Sequence, residues 1–112
     1  MSPVSTDPFE LLSRVPIFAD LSEEELRALA HRTATHHTGA GELLFNEGDP
    51  CQGFFVVESG ELKIFKIGAS GREQILTVEH PGDSIAELPV FDGGPYPASA
   101  MALADSILLF IG

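Results

Sequence analysis

Phe54-Phe55-Val56-Val57-Glu58-Ser59-Gly60-Glu61-Leu62-Lys63-Ile64-Phe65 is the stretch on which the fold turns. Two short apolar runs, rich in β-branched and aromatic residues, flank a Ser-Gly pair, which is the composition of strand, turn and strand. The same punctuation recurs on both sides, with glycines at 48, 60, 71, 82 and 93, eleven or twelve residues apart. A third run, Ile75-Leu76-Thr77-Val78, lies between Gly71 and Gly82. Strand-like residues resume at Ala98 and continue, past a turn near Ala104-Asp105, to Ile111. Short strands at this spacing predict about eight antiparallel strands in a sandwich or barrel. Hairpin turns are expected at 58–61 and 69–72, where glycine supplies positive φ. Strands do not alternate with helices, so a doubly wound sheet is excluded.

Before residue 34 the periodicity is helical. Asp7-Pro8 is a helix start, a capping side chain followed by proline at the first helical position. Ser22 and Glu25 have capping-box spacing, and Leu21 and Leu26 are placed for a hydrophobic staple. Glu23, Glu24 and Glu25 favour the positive end of the helix dipole. Leu26, Leu29, Ala30 and Thr33 then make one apolar stripe at helical spacing. The expected organisation is one domain: a helical segment, 1–33, packed on a β-roll or jelly roll, 34–112. The β pattern breaks at Gly82-Asp83-Ser84-Ile85-Ala86-Glu87-Leu88-Pro89-Val90-Phe91, too irregular for a strand and read as a single helical turn. There a ligand could meet free backbone N–H groups.

Composition narrows the partners. Apolar residues make up 44% and charged ones 21% of 112 residues, a globular balance large enough for one core. The N-terminus has no signal-peptide pattern and no apolar run reaches membrane-helix length, so no membrane partner and a cytoplasmic location are expected. Cys51 is the only cysteine, which excludes an internal disulfide and a thiolate metal cage. Six Lys and Arg against 17 Asp and Glu give a net charge of −11, the wrong sign for replacing phosphate counterions on DNA.

The ordered series Gly41-Glu42-x-Leu44, Glu47-Gly48-Asp49, Phe54-Phe55-Val56-Val57, Ser59-Gly60, Gly71-Arg72-Glu73-x-Ile75-Leu76 and Pro81-Gly82-Asp83 resembles the cyclic-nucleotide-binding β-roll of CRP/FNR-type bacterial transcription regulators. The likeness extends over about residues 9–111. It implies a mainly β, antiparallel roll with N-terminal helices and one short helical turn in a phosphate cassette. It also implies a sensor of a small-molecule effector, in a full-length regulator that is a homodimer. In such regulators a dimerising helix and a helix-turn-helix domain follow the roll. Neither is found here, so DNA would be reached only through a domain outside this chain. Without its next element, the strand from Ser106 to Ile111 is expected to leave apolar surface uncovered.

The family's cassette reads F/I-G-E-L, a variable stretch, then R-S/T-A; its glutamate accepts from a ribose hydroxyl and its arginine pairs the cyclic phosphate. Here Ile85-Ala86-Glu87-Leu88 match the first part, so Glu87 takes the ribose position by resemblance. By length the arginine falls at Pro97, followed by Ala98 and Ser99. Independently of the family, residues 73–112 contain no Lys or Arg but six acids: Glu73, Glu79, Asp83, Glu87, Asp92 and Asp105. A cyclic phosphate there lacks a charge-assisted partner. Losing one partner of a buried charged pair costs about 2–5 kcal/mol. A cyclic nucleotide is therefore expected to bind weakly or not at all. The candidate ligand-binding residues are Ile85, Ala86, Glu87, Leu88, Tyr96, Pro97, Ala98 and Ser99. Glu87 reads more readily as a helical-turn carboxylate in solvent or capping a neighbour, and Gly93–Pro97 as a recognition loop or a purely structural turn.

The remaining reactive residues form no familiar constellation. His36 and His37 are adjacent on a strand and point to opposite faces, so they cannot chelate one ion. His31 and His80 stand at no ligand spacing; His80 could reach a haem iron, but availability is all that recommends it. Cys51 sits in a loop near acids, a setting for an ordinary thiol. No nucleophile motif, phosphate loop or metalloprotease motif occurs, so no catalytic residue, metal or certain cofactor is assigned and an enzyme is not expected. Two readings stay open. One is a sensor with an unidentified effector, and the other an interaction or dimerisation module with a vestigial pocket. An open pocket lined by Glu87 and the 96–99 loop favours the first, and an interior filled by Phe, Leu and Met side chains the second.

Overall fold

The computed structural model describes residues 7–85 and 94–112. Two helices open the chain: α1, Pro8–Ser13, and α2, Glu23–His31, with a 3₁₀ turn at Pro16–Phe18 between them. Asp7 caps α1 by accepting Phe9 N–H at 3.2 Å, with Pro8 in the first turn. The box on α2 closes in both directions: Ser22 Oγ accepts Glu25 N–H at 3.1 Å, and Ser22 N–H donates to Glu25 Oε1 at 2.9 Å. The helix stops earlier than its stripe predicts. Arg32 is the C-cap, and Thr33 already lies in a strand, its hydroxyl donating to the Ala30 carbonyl at 2.8 Å. Threonine's β-branch and its hydroxyl bond to the i−3 carbonyl favour leaving the helix there.

The strands are β1 (Thr33–Thr38), β2 (Leu43–Phe45), β3 (Phe54–Ser59), β4 (Leu62–Ile67), β5 (Glu73–Glu79), β6 (Ser84–Ile85), β7 (Ser99–Ala102) and β8 (Ser106–Ile111). Two antiparallel four-stranded sheets result, ordered β1-β8-β3-β6 and β2-β7-β4-β5. Ser84 and Ile85 thus form a short strand, paired to Val56 and Phe55, where the sequence pattern reads as irregular. The expected helical turn falls largely on residues 86–93, outside the described residues.

One expected hairpin is real and the other is not. At 69–72 the chain turns from β4 to its neighbour β5, with Gly71 at φ 82° and Gly68 N–H bonded to the Arg72 carbonyl at 2.8 Å. At 58–61, β3 and β4 do not pair; the chain crosses from one sheet to the other. Ser106 holds the crossing: its hydroxyl accepts Glu61 N–H at 3.1 Å and donates to the Ala104 carbonyl at 2.8 Å. Gly60, at φ 96°, lies so close beneath that a Cβ would come within 2.6 Å of Ser106 Cα. Turn composition specifies the reversal, but a side chain 45 residues away decides which sheet receives the next strand.

Strand β3 explains its unbroken apolar run. Phe54 and Val56 face the helices, packing with Leu11, Leu12, Val15, Phe18 and Leu26. Phe55 and Val57 face the opposite sheet, meeting Phe45, Leu62, Tyr96 and Leu108. Both faces are buried, so alternation disappears from the sequence. Strand β8 does the same: Leu109 and Ile111 go to the helix side and Leu108 to the inter-sheet side. The expectation that β8 is left uncovered is therefore wrong, because α1, α2 and the facing sheet cover it. The exposed large apolar residues lie elsewhere: Ile67, Ile75 and Leu76 on β4 and β5 are about half exposed (55%, 55% and 49%), and Ile17, Leu43 and Leu103 are exposed as well. Among the described residues no helix is long and apolar enough to cross a membrane.

Candidate effector site

The candidate residues divide sharply. Ile85 ends β6, opposite Phe55, and is buried between the sheets. Ala86, Glu87 and Leu88 lie outside the described residues. Tyr96 and Ala98 are buried and Pro97 is exposed. Ser99 begins β7 with its side chain buried, its Oγ accepting Glu47 N–H at 2.8 Å. Tyr96 and Ile85, eleven residues apart, share the inter-sheet core with Phe45, Phe55, Leu62 and Leu108.

Tyr96 is held by its ring, its hydroxyl and its backbone together. Its ring stacks on Phe45, centroids 3.9 Å apart and 11° from parallel. Its hydroxyl donates to the Gly53 carbonyl at 3.2 Å. Its backbone is tied to the Glu47-Gly48-Asp49 turn in both directions: Tyr96 N–H to the Asp49 carbonyl at 3.0 Å, and Gly48 N–H to the Tyr96 carbonyl at 2.9 Å. Cys51, half-buried, donates its thiol to the same Gly53 carbonyl at 3.3 Å. Burial pushes the Tyr96 phenol above its ordinary range, and the neighbouring Cys51 adds to the shift. Phe45 and Gly53, which position Tyr96, carry no sequence signal for that role. One is a strand phenylalanine like its neighbours, and the other acts through its carbonyl.

A cavity of about 460 Å³ opens beside this ring system. His36, Phe45, Phe55, Tyr96 and Phe110 supply its rings, Leu44 and Pro50 further apolar surface, and Asp49 and Gln52 its polar groups. Ile85, Pro97, Ala98 and Ser99 are not among its lining residues. Among the described residues of the set expected to meet a ligand, then, only Tyr96 lines this cavity.

Five of the six Lys and Arg residues already have a partner. Lys63 Nζ lies 2.7 Å from Glu73 Oε2, and Lys66 Nζ 3.6 Å from Glu47 Oε2. Arg14 and Arg27 make i,i+4 pairs with Glu10 and Glu23 on the helices, and Arg32 bonds the Gly112 carbonyl at 3.1 Å. Arg72 lies in the β4–β5 turn. His80 Nε2 stands 3.9 Å from Glu61 Oε2, and both side chains are exposed.

Comparison with known proteins gives a consistent answer. The profile described as cyclic nucleotide-binding domain matches residues 35–112. A CRP-like cAMP-activated global transcriptional regulator of Mycobacterium tuberculosis is 32% identical over 96 residues, which cover 86% of this chain and 43% of that protein. The chain therefore spans less than half the length of that curated relative. The solved N-terminal domain of a transcriptional regulator from Streptomyces coelicolor is 37% identical with a TM-score of 0.84, covering 91% of this chain and 73% of that one. The sensor domain of the transcriptional regulator DNR from Pseudomonas aeruginosa is 30% identical with a TM-score of 0.83, covering 90% and 68%. With the two-sheet roll, the helices on its outer face and the motif series in register, the chain belongs to the cyclic nucleotide-binding domain family, in its CRP/FNR-type sensor form.

Proposed function

We propose that this chain is the effector-sensing domain of a CRP/FNR-type transcription regulator, with a pocket that does not receive cyclic AMP in the family's usual way. The observation that carries the second half is the absence of any Lys or Arg from residue 73 to residue 112. The arginine position falls by length at Pro97, which is exposed and has no cationic neighbour within that stretch. Lys63 and Lys66, the lysines of β4, are paired with Glu73 and Glu47, so recruiting either means breaking an ion pair. Glu87, with Ile85, Ala86 and Leu88, and Tyr96–Ser99 form the proposed cassette, Glu87 acting as hydrogen-bond acceptor. The effector is a small molecule other than a cyclic nucleotide. Residues 1–33 and 34–112 work as one domain in the cytoplasm, without catalysis of their own. DNA is contacted by another domain of a homodimeric regulator.

Calorimetry with cyclic AMP tests this. No saturable binding tighter than about 100 µM is expected, since removing the phosphate cation costs about 2–5 kcal/mol. A dissociation constant of about 10 µM or tighter, some 6.8 kcal/mol, would overturn the reading. Pro97→Arg is expected to improve binding, unless the fixed φ of the proline is itself needed by the loop.

The packed inter-sheet interior, with Phe45, Phe55, Tyr96 and Leu108, supports a second reading, an interaction or dimerisation module with a vestigial pocket. A thermal-shift screen of metabolites separates the two, because an effector at 100 times its dissociation constant adds about 2.7 kcal/mol. A vestigial pocket gives no stabilisation by any compound.

A further inference from the structure

The cavity beside Tyr96 has a chemistry of its own. Phe45, Phe55, Tyr96 and Phe110 wall it, His36 adds an imidazole, and Asp49 places a carboxylate at its solvent-exposed edge. Its lining contains no Lys or Arg. An anion entering would lose water and find aromatic rings and a carboxylate, with only the His36 imidazole and the Gln52 amide as donors and no fixed cation to pair it. An organic cation would find aromatic side chains and an opposite charge together, the residue types that recognise quaternary and aromatic ammonium groups. The protein's net charge of −11 raises the local concentration of cations as well. A volume of about 460 Å³ suits a molecule of one or two rings.

We infer that this cavity, which among the described residues shares only Tyr96 with the cassette, is a second ligand site for a small aromatic or quaternary ammonium cation. Asp49 supplies the counter-charge. One of its oxygens accepts Asn46 N–H at 3.2 Å, which fixes the carboxylate at the cavity edge. The Asp49 carbonyl also holds Tyr96 N–H, and the Tyr96 ring is a wall of the site. An occupant would therefore brace the segment through which the chain leaves the cassette and enters β7. The inference goes beyond the proposed sensor role and does not depend on nucleotide affinity.

The test titrates the isotope-labelled 112-residue chain at low salt with benzyltrimethylammonium, phenylacetate and benzyl alcohol, following backbone amides by NMR. Benzyltrimethylammonium should shift the amides of Phe45, Asp49, Phe55 and Tyr96 and saturate in the low-millimolar range, at least about tenfold more tightly than phenylacetate. Asp49→Asn keeps an acceptor for Asn46 N–H while removing the charge. It should weaken the cation about threefold to fivefold, as expected for an exposed charge pair, and leave benzyl alcohol unchanged. Equal or tighter binding of phenylacetate or benzyl alcohol would overturn the assignment, as would no saturable shift up to about 50 mM cation. Should Asp49→Asn disturb the loop, the three-probe comparison on the natural chain still decides.

Discussion

Truncating Tyr96 measures how far a single ring braces the roll. The ring is 6% exposed, stacks on Phe45 at 3.9 Å and carries a hydroxyl bonded to Gly53. Replacing a buried aromatic residue with alanine costs about 3–5 kcal/mol. Because one side of Tyr96 already borders a cavity, fewer contacts are lost and Tyr96→Ala should cost near the lower figure, about 3 kcal/mol. An unfolding entropy of about 2.1 cal/mol/K per residue over 112 residues converts this to a fall in Tm of about 13 °C. Tyr96→Phe keeps the stack and removes only the hydroxyl. The Gly53 carbonyl retains the Cys51 thiol, so no buried acceptor is orphaned and the cost should be about 0.5–1 kcal/mol, or about 2–4 °C. Thermal melts followed by circular dichroism, with urea unfolding alongside, give both values. If Tyr96→Ala costs less than about 1 kcal/mol, or if the Phe and Ala variants lose equal stability, the stacked ring is not the brace.

Two further substitutions probe the fold. Gly60→Ala should lose about 2–4 kcal/mol, combining a left-handed backbone with a collision against Ser106, whereas Gly71→Ala, with open space around it, should lose only about 1–2 kcal/mol. Equal losses in urea titrations would mean that the Ser106 contact does not restrict Gly60. Ser22→Ala should cost about 1 kcal/mol in the same assay. Glu25 is held below its ordinary value of 4.5 by its bonds with the Ser22 backbone and side chain. Its folded-state value is depressed, so its stabilisation is present above 4.5 and is lost as the pH falls through that lowered value. An NMR titration should place the Glu25 midpoint below 4.5 and move it upward in Ser22→Ala; an unshifted midpoint in the natural chain would refute the cap's charge contribution.

The helix starts, the Gly71 hairpin and about eight antiparallel strands were legible in the linear chain, because each depends on neighbouring residues or on composition. A cap needs residues three apart, such as Ser22 and Glu25. The absence of Lys and Arg after Arg72 holds however the chain folds. Tertiary structure decided what depends on residues distant in sequence. The crossing at Gly60 is governed by Ser106, so a turn composed like a hairpin joins two sheets instead. Coverage of β8 comes from helices at the other end of the chain, and exposed apolar surface appears on β4 and β5 instead. Tyr96 reads as a loop residue between two prolines, yet it is buried because Phe45, Gly53 and Asp49 converge on it from 43 to 51 residues away. The chemical types present are fixed by sequence, but the partner each one meets depends on pairing between distant segments, which local propensity does not encode.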